Sequence, residues 1–162
     1  MLKIQLAEYP EVKFLVDERY KWRHYTVETD DVDITFAAEL TSEASNTEEF
    51  VATVSLKGNQ LTRLASKTNN LVLLARLFQV AYVYASKVKG YKSFKIEVNP
   101  RHTRFYEWMG FEPQDEYYHA VGAPAVMLTL DFEKAETMRG TGFYKLFFPI
   151  ELEDVILCGL LK

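Results

Sequence analysis

Asn99-Pro100-Arg101-His102-Thr103-Arg104-Phe105-Tyr106-Glu107-Trp108-Met109-Gly110-Phe111 is the stretch on which the reading of this chain turns. Asn99 can cap a helix with its side-chain oxygen. Pro100 suits the first helical position, where a missing N–H costs nothing. Gly110 stands where helices commonly close in a left-handed residue, and Phe111 resumes an apolar run. The spacing predicts a strand end, a short helix, a glycine stop and a return into a strand. His102 and Tyr106 are four residues apart and share one helix face.

Working outward, Phe94, Ile96 and Val98 alternate with Lys95 and Glu97, the mark of a half-buried strand. Before it, Asn70 to Lys89 carries Leu71, Leu74, Ala75, Phe78, Tyr82, Ala85 and Val88 at helical spacing, and Gly90 stops it. Val72, Leu73, Leu77 and Val80 make this helix apolar nearly all round, so it is predicted to be largely buried. Ile34 to Leu40 and Phe50 to Leu56 read as strands joined by a polar loop, Thr41 to Glu49. Lys57-Gly58-Asn59 marks a tight turn into a strand from Gln60 to Ser66. A weak strand from Leu2 to Leu6, a helix begun by Pro10 and an acidic turn at Asp30, Asp31 and Asp33 precede these. Downstream, Phe111 to Val121 and Ala125 to Phe132 read as strands, and Phe143 to Leu161 is an aromatic, apolar segment of open class. Strands with helices between them predict a three-layer α/β domain with a mixed sheet, one domain over 1–162.

The chain has 162 residues, 48% of them hydrophobic, enough for one well-buried domain. Its net charge of -4 argues against a nucleic-acid partner, which usually demands a basic excess. The single cysteine, Cys158, cannot form an internal disulfide. With no N-terminal apolar signal region, the expected setting is reducing and cytoplasmic. No stretch reads as long and apolar enough to span a bilayer. His24, His102 and His119 are far apart in sequence, no Cys/His cluster has metal-site spacing, and no metal is expected.

The spacing of Asn99, His102, Tyr106, Gly110 and Phe111 resembles the acyl-CoA motif of the GNAT acyltransferases. The predicted element order is similar to theirs. The resemblance implies a three-layer α-β-α GNAT-like fold with a mixed, mostly antiparallel central sheet. Within that fold the chain looks most like the bacterial long-chain N-acyl amino acid synthases, relatives of the acyl-homoserine-lactone synthases. Leu61-Thr62-Arg63-Leu64-Ala65 resembles their Ser/Thr-Arg-Leu strand. Glu97-Val98-Asn99-Pro100-Arg101-His102, with Phe105-Tyr106 and Gly110-Phe111, resembles their middle motif. Val121 to Leu128 resembles their closing strand. The likeness runs from about Phe50 to Asp131 and implies transfer of a fatty acyl chain from acyl carrier protein to an amino-acid nitrogen. Two features depart from it. Most GNAT enzymes hold the coenzyme A pyrophosphate on a glycine-rich turn, but Ala65-Ser66-Lys67-Thr68-Asn69-Asn70 has no glycine. The synthases often carry an acid three residues before the strand arginine, and here that residue is Gln60.

Amide formation from a thioester requires deprotonation of the amine, donors for an oxyanion, a proton for the thiolate and exclusion of water. The resemblance makes Tyr106 the thiolate acid; taken alone it reads equally as a core tyrosine. Glu97 could be the base for the amine or an ordinary solvent-facing strand residue. His102 could shuttle protons, fix the helix or touch the donor's phosphopantetheine. Family geometry implies a splay between the fourth and fifth strands, with an oxyanion donor among the backbone N–H groups near Leu64 or Ala65. Arg63, a charge on an otherwise apolar face, could hold an acceptor carboxylate or a phosphate, or pair with an acid such as Glu39. Lys67, Thr68, Asn69 and Asn70 crowd the positive end of the long helix and could dock a phosphate, while Ser66 or Asn69 could cap it. Asn99 joins the donor-binding set through its motif. Lys87, Lys89, Lys92, Lys95, Arg101 and Arg104 give a local basic bias that would suit an acidic carrier protein. Phe143, Tyr144, Phe147 and Phe148 could wall an acyl slot or pack onto the sheet.

The expected function is N-acyl transfer from an acyl thioester, on acyl carrier protein or coenzyme A, to a small amine such as an amino acid. The expected mechanism is direct attack, since no activated Ser or Cys nucleophile motif is visible. Acetyl-CoA-dependent N-acetylation and a non-catalytic acyl- or protein-binding module are the alternatives.

Overall fold

The structure is a computed structural model that describes residues 2–21, 31–42, 44, 47–114, 118–120, 123–138, 156 and 159. The chain opens with β1 (Leu2–Ala7) and α1 (Tyr9–Tyr20), where Glu11 Oε1 accepts from the Glu8 N–H at 2.9 Å and fixes the helix start. Next come β2 (Ile34–Ser42), β3 (Thr47–Lys57) and β4 (Gln60–Ser66). Both β2 and β3 run further than their apolar cores suggest, and they absorb most of the expected loop. Gly58 makes the β3–β4 turn at φ +58°, and its N–H donates to Asp33 Oδ2 at 2.6 Å. Part of the acidic turn thus serves to hold this hairpin.

The long helix is α2 (Leu71–Val83), whose C-terminal turn widens into a π-turn over Tyr84–Val88. Leu71–Val88 is 18 residues with a mean hydropathy of 1.4, so by length and composition it could cross a bilayer, contrary to the sequence reading. Half of it is buried within the fold, as in a core helix. β5 (Ser93–Val98) follows, then a 3₁₀ turn (Pro100–His102) and α3 (Thr103–Trp108). Asn99 Oδ1 accepts from the Arg101 N–H at 3.1 Å, and Gly110 closes the helix at φ +102°.

The expected strand over 111–121 is broken into β6 (Glu112–Pro113) and β7 (Tyr118–Ala120). Pro113 lacks the N–H a continuous ladder needs, and the two pieces pair with different parts of β8 (Ala123–Asp131). Phe132 ends no strand but starts α4 (Phe132–Met138), where Asp131 Oδ1 accepts from the Glu133 N–H at 3.0 Å. The aromatic tail with Phe143, Tyr144, Phe147, Phe148 and Cys158 lies outside the described residues, as do His24 and Asp30.

The sheet order is β1-β2-β3-β4-β5-β8-β6, with β7 also on β8; the β4–β5 pair is parallel and the rest antiparallel. Strand alternation divides the core into two faces. Ala37 and Ala65 meet Tyr9, Val12, Leu15 and Val16 of α1. On the other face Phe36, Leu56 and Phe94 meet Phe78 and Tyr82 of α2, Tyr106 of α3 and Phe132 of α4. The layers are therefore α1, sheet, and α2 with α3 and α4, an α-β-α sandwich as expected.

Candidate active site

β4 and β5 pair only at Gln60–Lys95 and Leu61–Ile96, then part. The parting follows from an irregularity in β4. Its pairing with β3 shifts between Thr53–Ala65 and Ser55–Thr62, so Arg63 and Leu64 together oppose Val54. Arg63 takes φ +52°, a left-handed conformation that a non-glycine residue rarely adopts. The bulge also resets the alternation. Lys67 donates its N–H to the Val51 carbonyl of β3 at 2.8 Å. Alternation turns Ala65 to the same edge and leaves the Leu64 N–H directed toward β5. Of the two expected oxyanion donors, Leu64 is the one the backbone aims at the gap.

The gap opens into a cavity of about 560 Å³. Tyr106, Glu97 and His102 all line it, with Arg63, Leu64, Ala65, Thr68, Asn69 and Asn99. The structure thus brings together nine of the eleven expected site residues. Tyr106 serves both readings at once. It is 7% exposed and stands edge-on to Phe78 at 6.3 Å and Phe111 at 5.8 Å, yet it borders the cavity. Glu97 projects from the exposed face of β5, directly across from Met127 of β8.

His102 is half-buried, and its Nε2 is enclosed with no hydrogen-bond partner among the described residues. Burial lowers its pKa below the usual imidazole value of 6.5, and the charges of Arg101 and Arg19 push it the same way. The imidazole is therefore neutral at pH 7, as a base must be.

Arg63 pairs with Asp31 at 3.5 Å, not with Glu39, and its guanidinium lies 5.2 Å from the centre of the Tyr9 ring. Glu39 instead accepts from Gln5 Nε2 at 3.1 Å. The bulge explains the difference: it turns Arg63 toward α1, away from the face that buries Leu61. Asp31 also binds Lys57 at 2.6 Å, and that hydrogen bond holds its carboxyl below the ordinary value.

The turn before α2 is largely self-satisfied. Ser66 Oγ accepts from the Thr68 N–H at 3.1 Å, and Thr68 Oγ1 accepts from the Asn70 N–H at 3.2 Å. Asn70, not Ser66 or Asn69, is the cap: its Oδ1 accepts from Val72 at 3.0 Å and Leu73 at 3.3 Å. Lys67 pairs with Glu49 and lies 5.2 Å from the centre of the Phe14 ring. Neither Lys67 nor Asn70 lines the cavity. Backbone N–H groups that a glycine-rich turn would offer to a phosphate are here committed to the turn itself.

Sequence reasoning missed Arg19 and Phe105, which also line the cavity. Arg19 arrives from α1, far from β4 in sequence, so no local pattern announces it. Gln60, noted only as a substitution, lines the cavity as well.

Residues 59–131 match the family model of the N-acyl amino acid synthase FeeM. The chain has the fold of the GNAT acyltransferases. The match begins at the β3–β4 turn and ends with β8, so it takes in both strands that flank the cavity. Among solved structures, the chain is similar to FeeM from uncultured soil microbes: 16% identity over 83% of this chain and 93% of that one, TM-score 0.69. An acyl-CoA N-acyltransferase from Pseudomonas aeruginosa gives 15% identity over 80% and 99%, TM-score 0.62. An N-acetyltransferase from Staphylococcus aureus gives 15% identity over 82% and 99%, TM-score 0.59. Comparison with curated proteins finds no match.

The cap at Asn70 separates structure from binding in this protein. Asn70→Ala is expected to cost about 1 kcal/mol, lowering Tm by about 2–4 °C in thermal melts. Because Asn70 lies outside the cavity, KM for the donor should not change; a severalfold rise in donor KM would place the phosphate on this helix after all.

Proposed function

We propose that this protein moves a medium or long acyl chain from a thioester to the amine of an amino acid or similar small acceptor. The observation that carries the reading is the cavity at the β4–β5 parting, where Tyr106, Glu97 and His102 converge inside the region matched to an N-acyl amino acid synthase. The thioester enters between the strands and its carbonyl oxygen meets the Leu64 N–H. The amine, deprotonated by His102 or Glu97, attacks the carbonyl carbon. The tetrahedral intermediate collapses, and Tyr106 gives its proton to the departing thiolate. No covalent enzyme intermediate is needed.

Acyl carrier protein is the favoured donor. The usual pyrophosphate turn is absent, and Lys87, Lys89, Lys92, Lys95, Arg101 and Arg104 are all exposed, a surface suited to an acidic carrier. A lone cysteine suits the reducing compartment in which such thioesters are made.

A panel of acyl carrier protein and coenzyme A thioesters with mixed amino acids tests this. Thiol release should accompany N-acyl amino acid product, seen by mass spectrometry, and be fastest with long-chain carrier thioesters. Product from acetyl-CoA alone would move the protein to the ordinary acetyltransferases. A folded protein silent across the panel would favour a binding role.

The depressed pKa of His102 fixes the sign of the pH dependence. As a base it works deprotonated, so kcat/KM should hold from pH 8 to about pH 6.5 and fall only below that, as the imidazole protonates. Stability follows the same direction: the unfolded state takes up the proton first, so stability is lost as pH drops from about 6.5 toward the folded-state pKa. His102→Gln should abolish the acid-side fall in activity. An unchanged profile in that variant would pass the role to Glu97.

A further inference from the structure

The cavity is more basic than the chain that builds it. The protein carries a net charge of -4, yet Arg19, Arg63 and Arg101 line the cavity against the single carboxylate of Glu97 among the described residues. Arg63 is partly neutralised by Asp31. Neither Arg19 nor Arg101 makes an ion pair among the described residues. Two guanidinium groups at one cavity, faced there by the single carboxylate of Glu97 among the described residues, suit an anionic ligand. They reach the cavity from separate elements, the last turn of α1 and the 3₁₀ turn after β5. His102 adds an enclosed Nε2 with no partner at the same place.

We propose that Arg19 and Arg101 form the anion site for the acceptor's carboxylate, holding it so that the acceptor's amine lies beside His102. The proposal rests on the N-acyltransferase reading and adds the specificity-determining residues to it. The donor's phosphate is the other possible source of an anion, but the turn before α2, where it would dock, has Ser66, Thr68 and Asn70 committed to its own N–H groups. A carboxylate on this pair is bound by charge-assisted hydrogen bonds that a neutral carboxamide cannot replace.

The test uses the full chain and does not depend on turnover. N-dodecanoyl derivatives of glycine, leucine and tyrosine, each as free acid and as carboxamide, are titrated by calorimetry at pH 7.5. Wild type should bind at least one acid about tenfold or more tighter than its amide, and Arg19→Gln or Arg101→Gln should remove most of that preference. Both arginines are exposed, so these variants should keep the wild-type circular dichroism. Proton NMR of His102 gives a second readout. The charged and titratable groups lining its cavity are Arg19 from α1, Arg63 from β4, Glu97 from β5, Arg101 from its own turn and Tyr106 from α3. The acid, by offsetting the two arginine charges, should raise the His102 pKa; the amide should leave it in place.

Equal binding of acid and amide by wild type, or a preference that survives both substitutions, overturns the assignment. So does a result in which Arg19→Gln weakens coenzyme A or phosphopantetheine but not the acid, which would make the anion the donor's. If N-acyl products form in the donor panel while acid and amide bind alike, this inference falls alone. If the acid is preferred but no thioester is ever consumed, the catalytic reading falls and the anion site stands.

Discussion

Tyr106→Phe is expected to lower kcat about 10²-fold while leaving KM and stability near wild type. The substitution keeps the ring and its edge-on contacts with Phe78, Phe105 and Phe111, so the packing survives. What goes, on the proposed mechanism, is the proton offered to the departing thiolate. General-acid catalysis is typically worth about 10²- to 10⁴-fold. The low end applies because a thiol, with a reference pKa of about 8.5, is already a fair leaving group. The dependence on the leaving group supplies a signature that packing cannot imitate. With an aryl thioester, whose thiolate needs no proton, the deficit of the variant should shrink toward zero. A variant as fast as wild type on the alkyl thioester would leave Tyr106 with its core role alone.

Phe78→Ala carries the largest expected loss of stability, about 3–5 kcal/mol. Phe78 is 1% exposed in the middle of α2, and it joins the sheet core to α3 through Tyr106. Removing the ring takes away buried apolar surface and leaves a void that the strands below cannot fill by moving. Urea titration should show a lower midpoint at an unchanged slope. Activity should fall as well, because Tyr106 loses the ring against which it stands. A cost under about 1 kcal/mol would mean that α2 is not seated on the sheet at this position.

What was readable before the structure was what neighbouring residues decide among themselves. Asn99 and Pro100 start a helix wherever they stand together. Phe94, Ile96 and Val98 need only their own alternation to declare a half-buried strand, and the apolar spacing from Leu71 to Val88 declares a helix without help. Gly110 fell at the helix end because the φ of +102° there suits no other residue well. The sequence offers Ser66 or Asn69 as the α2 cap, and the turn geometry gives the role to Asn70 instead.

What stayed hidden depends on partners distant in sequence. The bulge at Arg63 exists because β4 slips against β3, a matter of register between two strands. Its consequences, a guanidinium turned to Tyr9 and Asp31 and a Leu64 N–H turned to the gap, could not be read from alternation, which gave Arg63 the face of Leu61. Arg19 enters the cavity only because α1 packs its apolar stripe on β3 and β4. The seven-residue helix α4 is too short to show a period; the sequence reading places only its first residue, Phe132, and at the end of a strand.

The central claim is that the acyl donor lies in the parting of β4 and β5. The fold offers a second and larger cavity of about 780 Å³, between Lys3, Ile4 and Leu6 of β1 and Val72, Arg76 and Val80 of α2. Titrating isotope-labelled protein with a non-cleavable dodecanoyl-pantetheine thioether, followed by backbone amide NMR, decides between them. The account predicts the largest shifts at Thr62 to Ser66, Glu97 to Asn99, His102 and Tyr106, with β1 unmoved. Shifts confined to 3–6 and 72–80, with the β4–β5 parting silent, would contradict it.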